Sequence, residues 1–333
     1  MTKNTLLLTG AAGFVGTSVL DYAIQHREEL GYDDIVVVDN LITGIYEPLF
    51  RACKKHDFLH FYCLDIKEEK LERVFEKHLP KHVIHLAAEP YIPKSFDLPK
   101  DFLDTNIYGS YNLFINCIRW GVEKLINYST SEVYGSAQHI PMSETHPLNP
   151  QSFYATTKLA AERFAINLHH EQDLPVVNLR QFNVYGEWNQ QPYVIPEIIK
   201  QIYHNDKNKD GSINVYLGNN SARDFLYVRD AAQIPFKLLE HGVLGETYNC
   251  GAETAYYVYD IVDIISDIMR VKTKIIEDPE RLRPNDVTML WAECSKLKKC
   301  IGEYEKTEFK DGLINMIQFY YENGNVWGWE NRL

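Results

Sequence analysis

The chain has 333 residues, 45% of them hydrophobic and 24% charged, with a formal net charge of −12. That balance is that of an ordinary globular protein, and without any basic block it excludes non-specific attraction to nucleic acid. No apolar run is long enough to span a membrane, a strand begins within the first few residues where a leader would lie, and the six cysteines show no paired CxxC spacing, so a cytoplasmic protein with reduced thiols is expected.

The first element is an apolar strand over 4–9, followed at once by Gly10, Gly13 and Gly16 and a helix over 14–27. A strand, a glycine turn and a helix in this order build a pocket for a dinucleotide pyrophosphate. The glycines allow the tight turn, the approach of phosphate to backbone and the close packing of the helix, whose free N–H groups then face the anion. A second buried strand over 35–39 ends at Asp39, about 20 residues past the glycines, where a carboxylate accepts both ribose hydroxyls and repels a 2′-phosphate. NAD is therefore expected rather than NADP.

Further strands are predicted over 58–63, 82–86, 124–128 and 175–180, with helices over 67–78, 101–119 and 152–171. The alternation predicts an α/β fold, a Rossmann-type doubly wound parallel sheet. After Arg180 the rhythm changes to helices over 194–204, 229–241, 258–269 and 307–321 with short strands over 213–217, 246–249 and 274–277. The expected division is a dinucleotide-binding domain over 1–181, to which 220–241 returns, and a smaller mixed α/β substrate lobe over 182–333. His78, His82 and His85 are close in sequence, but one lies in a strand, the others flank Pro80, and no cysteine or carboxylate completes a set, so no metal is expected.

The chemistry concentrates in Ser129-Thr130-Ser131-Glu132-Val133-Tyr134-Gly135, just past a strand, and in Tyr154 and Lys158 on the next helix. A spacing of four places phenol and ammonium on one helical face, where that cation, together with a positive nicotinamide ring, lowers the tyrosine pKa and lets it act as a base. Tyr203 and Lys207 share that spacing but run into a polar loop and read as surface.

Together these motifs resemble the extended short-chain dehydrogenase/reductases of the nucleotide-sugar epimerase/dehydratase group. The resemblance runs through Thr9 to Gly16, Asp39 to Leu41, Asp65 and Ile66, His85 to Glu89, Asn106, Ser129 to Gly135, Tyr154 and Lys158, Asn183 to Gly186, Arg223 to Val228, and Arg283 with Pro284. It implies NAD held by Gly10, Gly13, Phe14, Val15, Gly16, Asp39, Asn40, Asp65, Ile66, Leu86, Ala87, Ala88, Tyr154 and Lys158. It also implies a nucleoside-diphosphate sugar held by Glu89, Asn183, Tyr216, Arg223 and Arg283, with Arg281 a weaker candidate, and a homodimer formed by helices near 101–119 and 154–171 through Tyr108, Leu113 and Phe164.

In this family Tyr154 would take the proton of the sugar 4-hydroxyl while hydride leaves C4, with Thr130 on the same oxygen. The fate of the 4-ketone separates epimerases, dehydratases and decarboxylases. Glu132 favours elimination, since a carboxylate near C5 serves as base, whereas similar epimerases usually carry a small residue there. Glucose-type dehydratases place an aspartate where this chain has Ser131, which leaves the acid for the departing hydroxyl open. Thr130-Ser131-Glu132 resembles mannose-type and acetamido-sugar dehydratases. The expectation is a nucleotide-sugar 4,6-dehydratase, with UDP-N-acetylglucosamine the first substrate to try. A 4-epimerase and then a decarboxylase are the alternatives, and a catalytically silent dinucleotide sensor would have no need of Thr130, Tyr154 and Lys158.

Overall fold

A computed structural model describes residues 3–189, 192–282 and 285–323. Its strands are β1 (Thr5–Thr9), β2 (Asp34–Asp39), β3 (Leu59–Cys63), β4 (His82–His85), β5 (Lys124–Thr130), β6 (Val176–Gln181), β7 (Asn183–Tyr185), β8 (Ser212–Leu217), β9 (Ala222–Tyr227), β10 (Thr247–Cys250), β11 (Ala255–Tyr257), β12 (Lys272–Glu277) and β13 (Met289–Leu290). Seven of them form one sheet in the order β10-β6-β5-β4-β1-β2-β3, parallel throughout. The chain starts in the middle, runs outward to β3, then returns past β1 to build the other half. The order reverses between β1 and β4, and a crevice opens there at the carboxyl ends of the strands.

The near-continuous apolar runs of β1 and β2 follow from burial on both faces. Leu6, Leu8, Val37, Ile84 and Ile126 pack into one core, whereas Leu7, Val36, Val38, Val83 and Leu125 pack into the other. Helices cover both sides. No helix among the described residues is long and apolar enough to cross a membrane.

Four sequence expectations need correction here. The strand predicted over 246–249 was assigned to the second lobe, yet β10 extends the main sheet beside β6. Of the segment 220–241 expected to return to the first domain, the helix Val228–His241 does, with Phe236 stacked on Tyr22 of the helix Phe14–Gln25 at 5.1 Å, whereas Ala222–Tyr227 is β9 of the second lobe. The predicted helix over 101–119 is interrupted: Pro99–Phe102 is followed by a wide π-type turn over Leu103–Gly109 and then by Ser110–Arg119. Inside the wide turn Asn106 accepts the Glu89 N–H at 2.8 Å and donates to the Glu89 carbonyl and to Thr157 Oγ1, both at 3.1 Å. A buried side chain bonding backbone across the molecule explains the interruption, and such turns often accompany functional sites. The third helix starts at Leu71 rather than near 67, because Asp65 Oδ1 accepts the Lys67 N–H in a turn of its own.

Three short helices go beyond the sequence expectation: Tyr46–Lys55, Ile92–Asp97 and Ser295–Ile301. Tyr46–Lys55 buries only Leu49, and Ile92–Asp97 is a short segment with a proline in its first turn. The second lobe is built on β9, which pairs antiparallel with β11 and parallel with β13 at its start and β7 at its end. Beside it β8 and β12 form a parallel pair. The helices Val194–His204, Val258–Met269 and Phe309–Asn323 enclose a separate core around Val215, Ile261 and Leu313.

Candidate active site

The glycine turn meets two separate demands. Gly10 has φ +75°, and a Cβ on it would lie 2.5 Å from the Ala87 nitrogen. A Cβ on Gly16 would lie 2.1 Å from the Gly10 carbonyl oxygen, so the helix Phe14–Gln25 is pressed against the turn itself. Gly13 caps that helix without any side-chain hydrogen bond, which leaves first-turn N–H groups to the cleft lined by Gly13, Phe14, Val15 and Gly16. A Cβ on Gly13 would touch only the Gly10 oxygen, at 3.2 Å, and otherwise project into the space an anion needs.

Asp39 stands at the end of β2, with Oδ2 accepting the Ala12 N–H at 2.9 Å and Oδ1 accepting the Leu41 N–H at 2.8 Å. Burial pushes its pKa up and the two N–H bonds pull it back. Asn40, Ile66, Leu86, Ala87 and Ala88 line the same cleft. Asp65, expected among them, does not: its neighbours Leu64 and Ile66 do, while its carboxylate accepts Asn40 Nδ2 at 3.0 Å. The residues present therefore fit a dinucleotide. Thr43, Thr105, Tyr128, Gln181 and Tyr193 also line this cleft and were not read from sequence, because no local pattern marks a side chain brought in from another strand or loop.

Past the end of β5 the chain makes a short 3₁₀ turn, Ser131–Tyr134, in which Thr130 Oγ1 accepts the Glu132 N–H at 3.2 Å. The helix Phe153–Gln172 begins where Ser152 Oγ accepts the Ala155 N–H at 3.1 Å. Tyr154, Lys158, Thr130, Ser131 and Glu132 then meet on one wall of the cleft. Desolvation pushes the Tyr154 phenol up to about 12, opposed by its hydrogen bond with Thr130 and reinforced by the charge of Glu132. Desolvation brings the Lys158 ammonium down to about 8, opposed by Glu162. The protein alone thus leaves the phenol raised, because the cost of burying phenolate exceeds what Thr130 returns; the expected lowering counts a positive nicotinamide ring beside Lys158 as well.

A second pocket adjoins the first, and Ile92, Glu132, Asn183, Val184, Asn189 and Tyr193 line both. Arg223 lines it from β9, its Nη2 lying 3.4 Å from Asp286 Oδ1, and Arg281 lines it while paired with Glu197 at 3.0 Å and Asp278 at 3.2 Å. Arg283 falls outside the described residues. Tyr216 does not line the pocket; Leu217 and Gly218 from the same stretch do, while Tyr216 faces outward on β8 with its backbone held by Gln201. Glu89 lines the first pocket, with Lys94 Nζ 3.3 Å from its Oε2. The three histidines near residue 80 serve different partners. His85 joins Thr9 to Ser110 inside the core, His82 bonds the Tyr32 hydroxyl and His78 bonds that of Tyr62.

Residues 7–316 match the family model for GDP-mannose 4,6 dehydratase. The chain belongs to this family, within the extended nucleotide-sugar dehydratases and epimerases. A dTDP-glucose 4,6-dehydratase of Escherichia coli is 28% identical over 353 residues, covering 97% of this chain and 95% of the relative. A UDP-glucuronate 4-epimerase of Thermodesulfobacterium geofontis is 30% identical over 328 residues, covering 95% and 96%. Among solved structures, the dTDP-glucose 4,6-dehydratase of Bacillus anthracis in complex with NAD superposes with a TM-score of 0.84 at 26% identity, covering 97% of this chain and 98% of that one. Family membership thus embraces both elimination and epimerisation, and the choice between them rests on the site.

Proposed function

We propose that this chain is an NAD-dependent nucleotide-sugar 4,6-dehydratase, and that it acts as a homodimer. The observation that carries the reading is Glu132, a carboxylate that lines both pockets beside Thr130 and Tyr154. Gly10, Gly13, Gly16, Asp39 and Asn40 would hold the dinucleotide, and Tyr154 and Lys158 its reacting end. NAD held there would supply a positively charged ring able to accept the hydride from C4 of the sugar and give it back at C6.

The protein's part is proton handling. Tyr154 takes the proton of the 4-hydroxyl, with Thr130 bonded to the same centre. The ketone acidifies C5, Glu132 removes that proton, and the carboxylic acid so formed gives it to the C6 hydroxyl as the C6–O bond breaks. The proton from the 4-hydroxyl replaces the one lost from C5, so one water leaves and a 4-keto-6-deoxy sugar remains. Ser131 lies beside this path. Asn183, Arg223 and Arg283 would hold the diphosphate. The resemblance of Thr130-Ser131-Glu132 to acetamido-sugar dehydratases supports UDP-N-acetylglucosamine as the first substrate.

The test is incubation with a panel of nucleotide sugars, followed by product mass. Loss of water from one member is expected, and Glu132→Gln should abolish it while NAD remains bound. A product of unchanged mass and inverted configuration at C4 would instead make the chain an epimerase.

A further inference from the structure

Glu162 lies four residues after Lys158 and eight after Tyr154, on the same helical face, and it is buried. Its Oε1 accepts Arg180 Nη2 at 2.5 Å and its Oε2 accepts Arg180 Nε at 3.0 Å, with the two side chains 1% and 4% exposed. The same Oε2 accepts Ser129 Oγ at 2.7 Å. On its other side Arg180 Nη1 donates to the Tyr134 hydroxyl at 2.9 Å and to the Glu144 carbonyl at 3.3 Å, and the guanidinium lies over the Tyr134 ring at 4.9 Å. Tyr134 in turn donates to Asn249 Oδ1 at 2.6 Å. Ser129, near the end of β5, and Tyr134, at the end of the 3₁₀ turn, bracket the segment that carries Thr130, Ser131 and Glu132.

A buried ion pair is weak evidence for stability, because the cost of desolvating both charges offsets their attraction. Its placement is more informative. One carboxylate sits on the helix of Tyr154 and Lys158 and holds the start of the segment, while its guanidinium partner, on β6, holds the end. We propose that the Glu162–Arg180 pair is a positioning device that fastens both ends of the Ser129–Tyr134 segment to the Tyr154–Lys158 helix and fixes a negative charge one helical turn from Lys158.

This inference rests on the proposed roles of Glu132, Tyr154 and Lys158. The groups facing Lys158 can be named by element. Its own helix contributes Tyr154 and Glu162. From β4 comes His85, held neutral because burial and the nearby ammonium bring its pKa down to about 3. The turn contributes Glu132, which acts on Tyr154, and the β6 guanidinium is engaged by Glu162. Glu162 is thus the anion that holds a proton on Lys158 against desolvation. Without its charge that proton leaves at lower pH, and the phenolate of Tyr154 loses a cation.

The experiment compares wild type, Glu162→Gln, Arg180→Lys and the charge-free pair Glu162→Leu/Arg180→Met. For each, kcat and KM are measured against pH and the folded fraction by thermal melt. Glu162→Gln should lower kcat at neutral pH by about tenfold or more, leave KM within about threefold, and move the alkaline limb of kcat down by about one pH unit. The double variant, which removes both members of the ion pair together, should melt nearer wild type than either single change and show the same displaced limb. Arg180→Lys keeps the carboxylate but loses the fork that reaches Tyr134, so kcat should fall with the limb unmoved.

Lower melting temperatures with an unchanged kcat and pH profile in the folded fraction would overturn the proposal. If wild type turns over no nucleotide sugar, the functional reading fails first. The pair is then judged on the rate at which acetic anhydride labels Lys158 across pH, followed by mass spectrometry: an unchanged labelling profile in Glu162→Gln would sink it as well.

Discussion

At the scale of single residues, the site depends on atoms that are missing as much as on those present. Gly16 has no left-handed backbone angle, and its requirement is purely one of distance: a methyl group there would lie 2.1 Å from the Gly10 oxygen. Because the obstacle is backbone rather than a flexible side chain, relief requires the helix to move off the turn. Gly16→Ala should cost about 1–3 kcal/mol and weaken NAD binding, with thermal melts and calorimetric titration as the readouts. A stable variant with unaltered affinity would show that the turn yields more easily than its geometry implies. Glycine spacing was legible in the sequence because it follows a strand directly. The role of Asp65 was not, since its side chain stops at Asn40 rather than reaching the cleft.

At the scale of elements, the wide turn Leu103–Gly109 and the helix Phe153–Gln172 present an apolar face. Tyr108 is 54% exposed and Phe164 46%, and the Tyr111 and Phe164 rings lie 6.4 Å apart. Leu113, grouped with them from sequence, is fully buried against the parallel sheet and takes no part. If the exposed rings pair across a two-fold axis, the double change Tyr108→Asp and Phe164→Asp should halve the sedimentation mass and leave each subunit folded. A wild-type monomer would remove the dimer from the proposal.

At the scale of the whole molecule, Asp224 joins the two sheets. It is fully buried on β9, where its carboxylate accepts the Ala252 N–H at 2.6 Å just past β10 and the Ala292 N–H at 3.1 Å just past β13. Burial raises its pKa to about 7 despite those bonds. A carboxyl raised above its unfolded value contributes stability that is complete below about pH 4 and is lost as pH rises through about 7. The melting temperature should therefore decline between about pH 4 and 7 through this group and level off above it. Asp224→Asn should lower stability at pH 6, because the amide has a single oxygen to set against the N–H donors of Ala252, Ala292 and Glu253, and should flatten that decline. An unchanged slope would mean that Asp224 is ionised throughout the range.

The sequence by itself determined the first six strands of the main sheet and the proposed reacting groups, for a physical reason: a parallel strand buried on both faces, a glycine turn and a Tyr–Lys helical spacing are each local patterns. All six strands of the first half, the cleft-lining residues from Gly10 to Gly16, and the Thr130, Glu132, Tyr154 and Lys158 group were legible in that way. Only the tertiary structure decided that β10 closes the main sheet, that Leu217 rather than Tyr216 meets the second pocket, and that Glu162 and Arg180 grip both ends of one segment. Each of these depends on pairing and packing between residues far apart along the chain, and no window of sequence contains both partners.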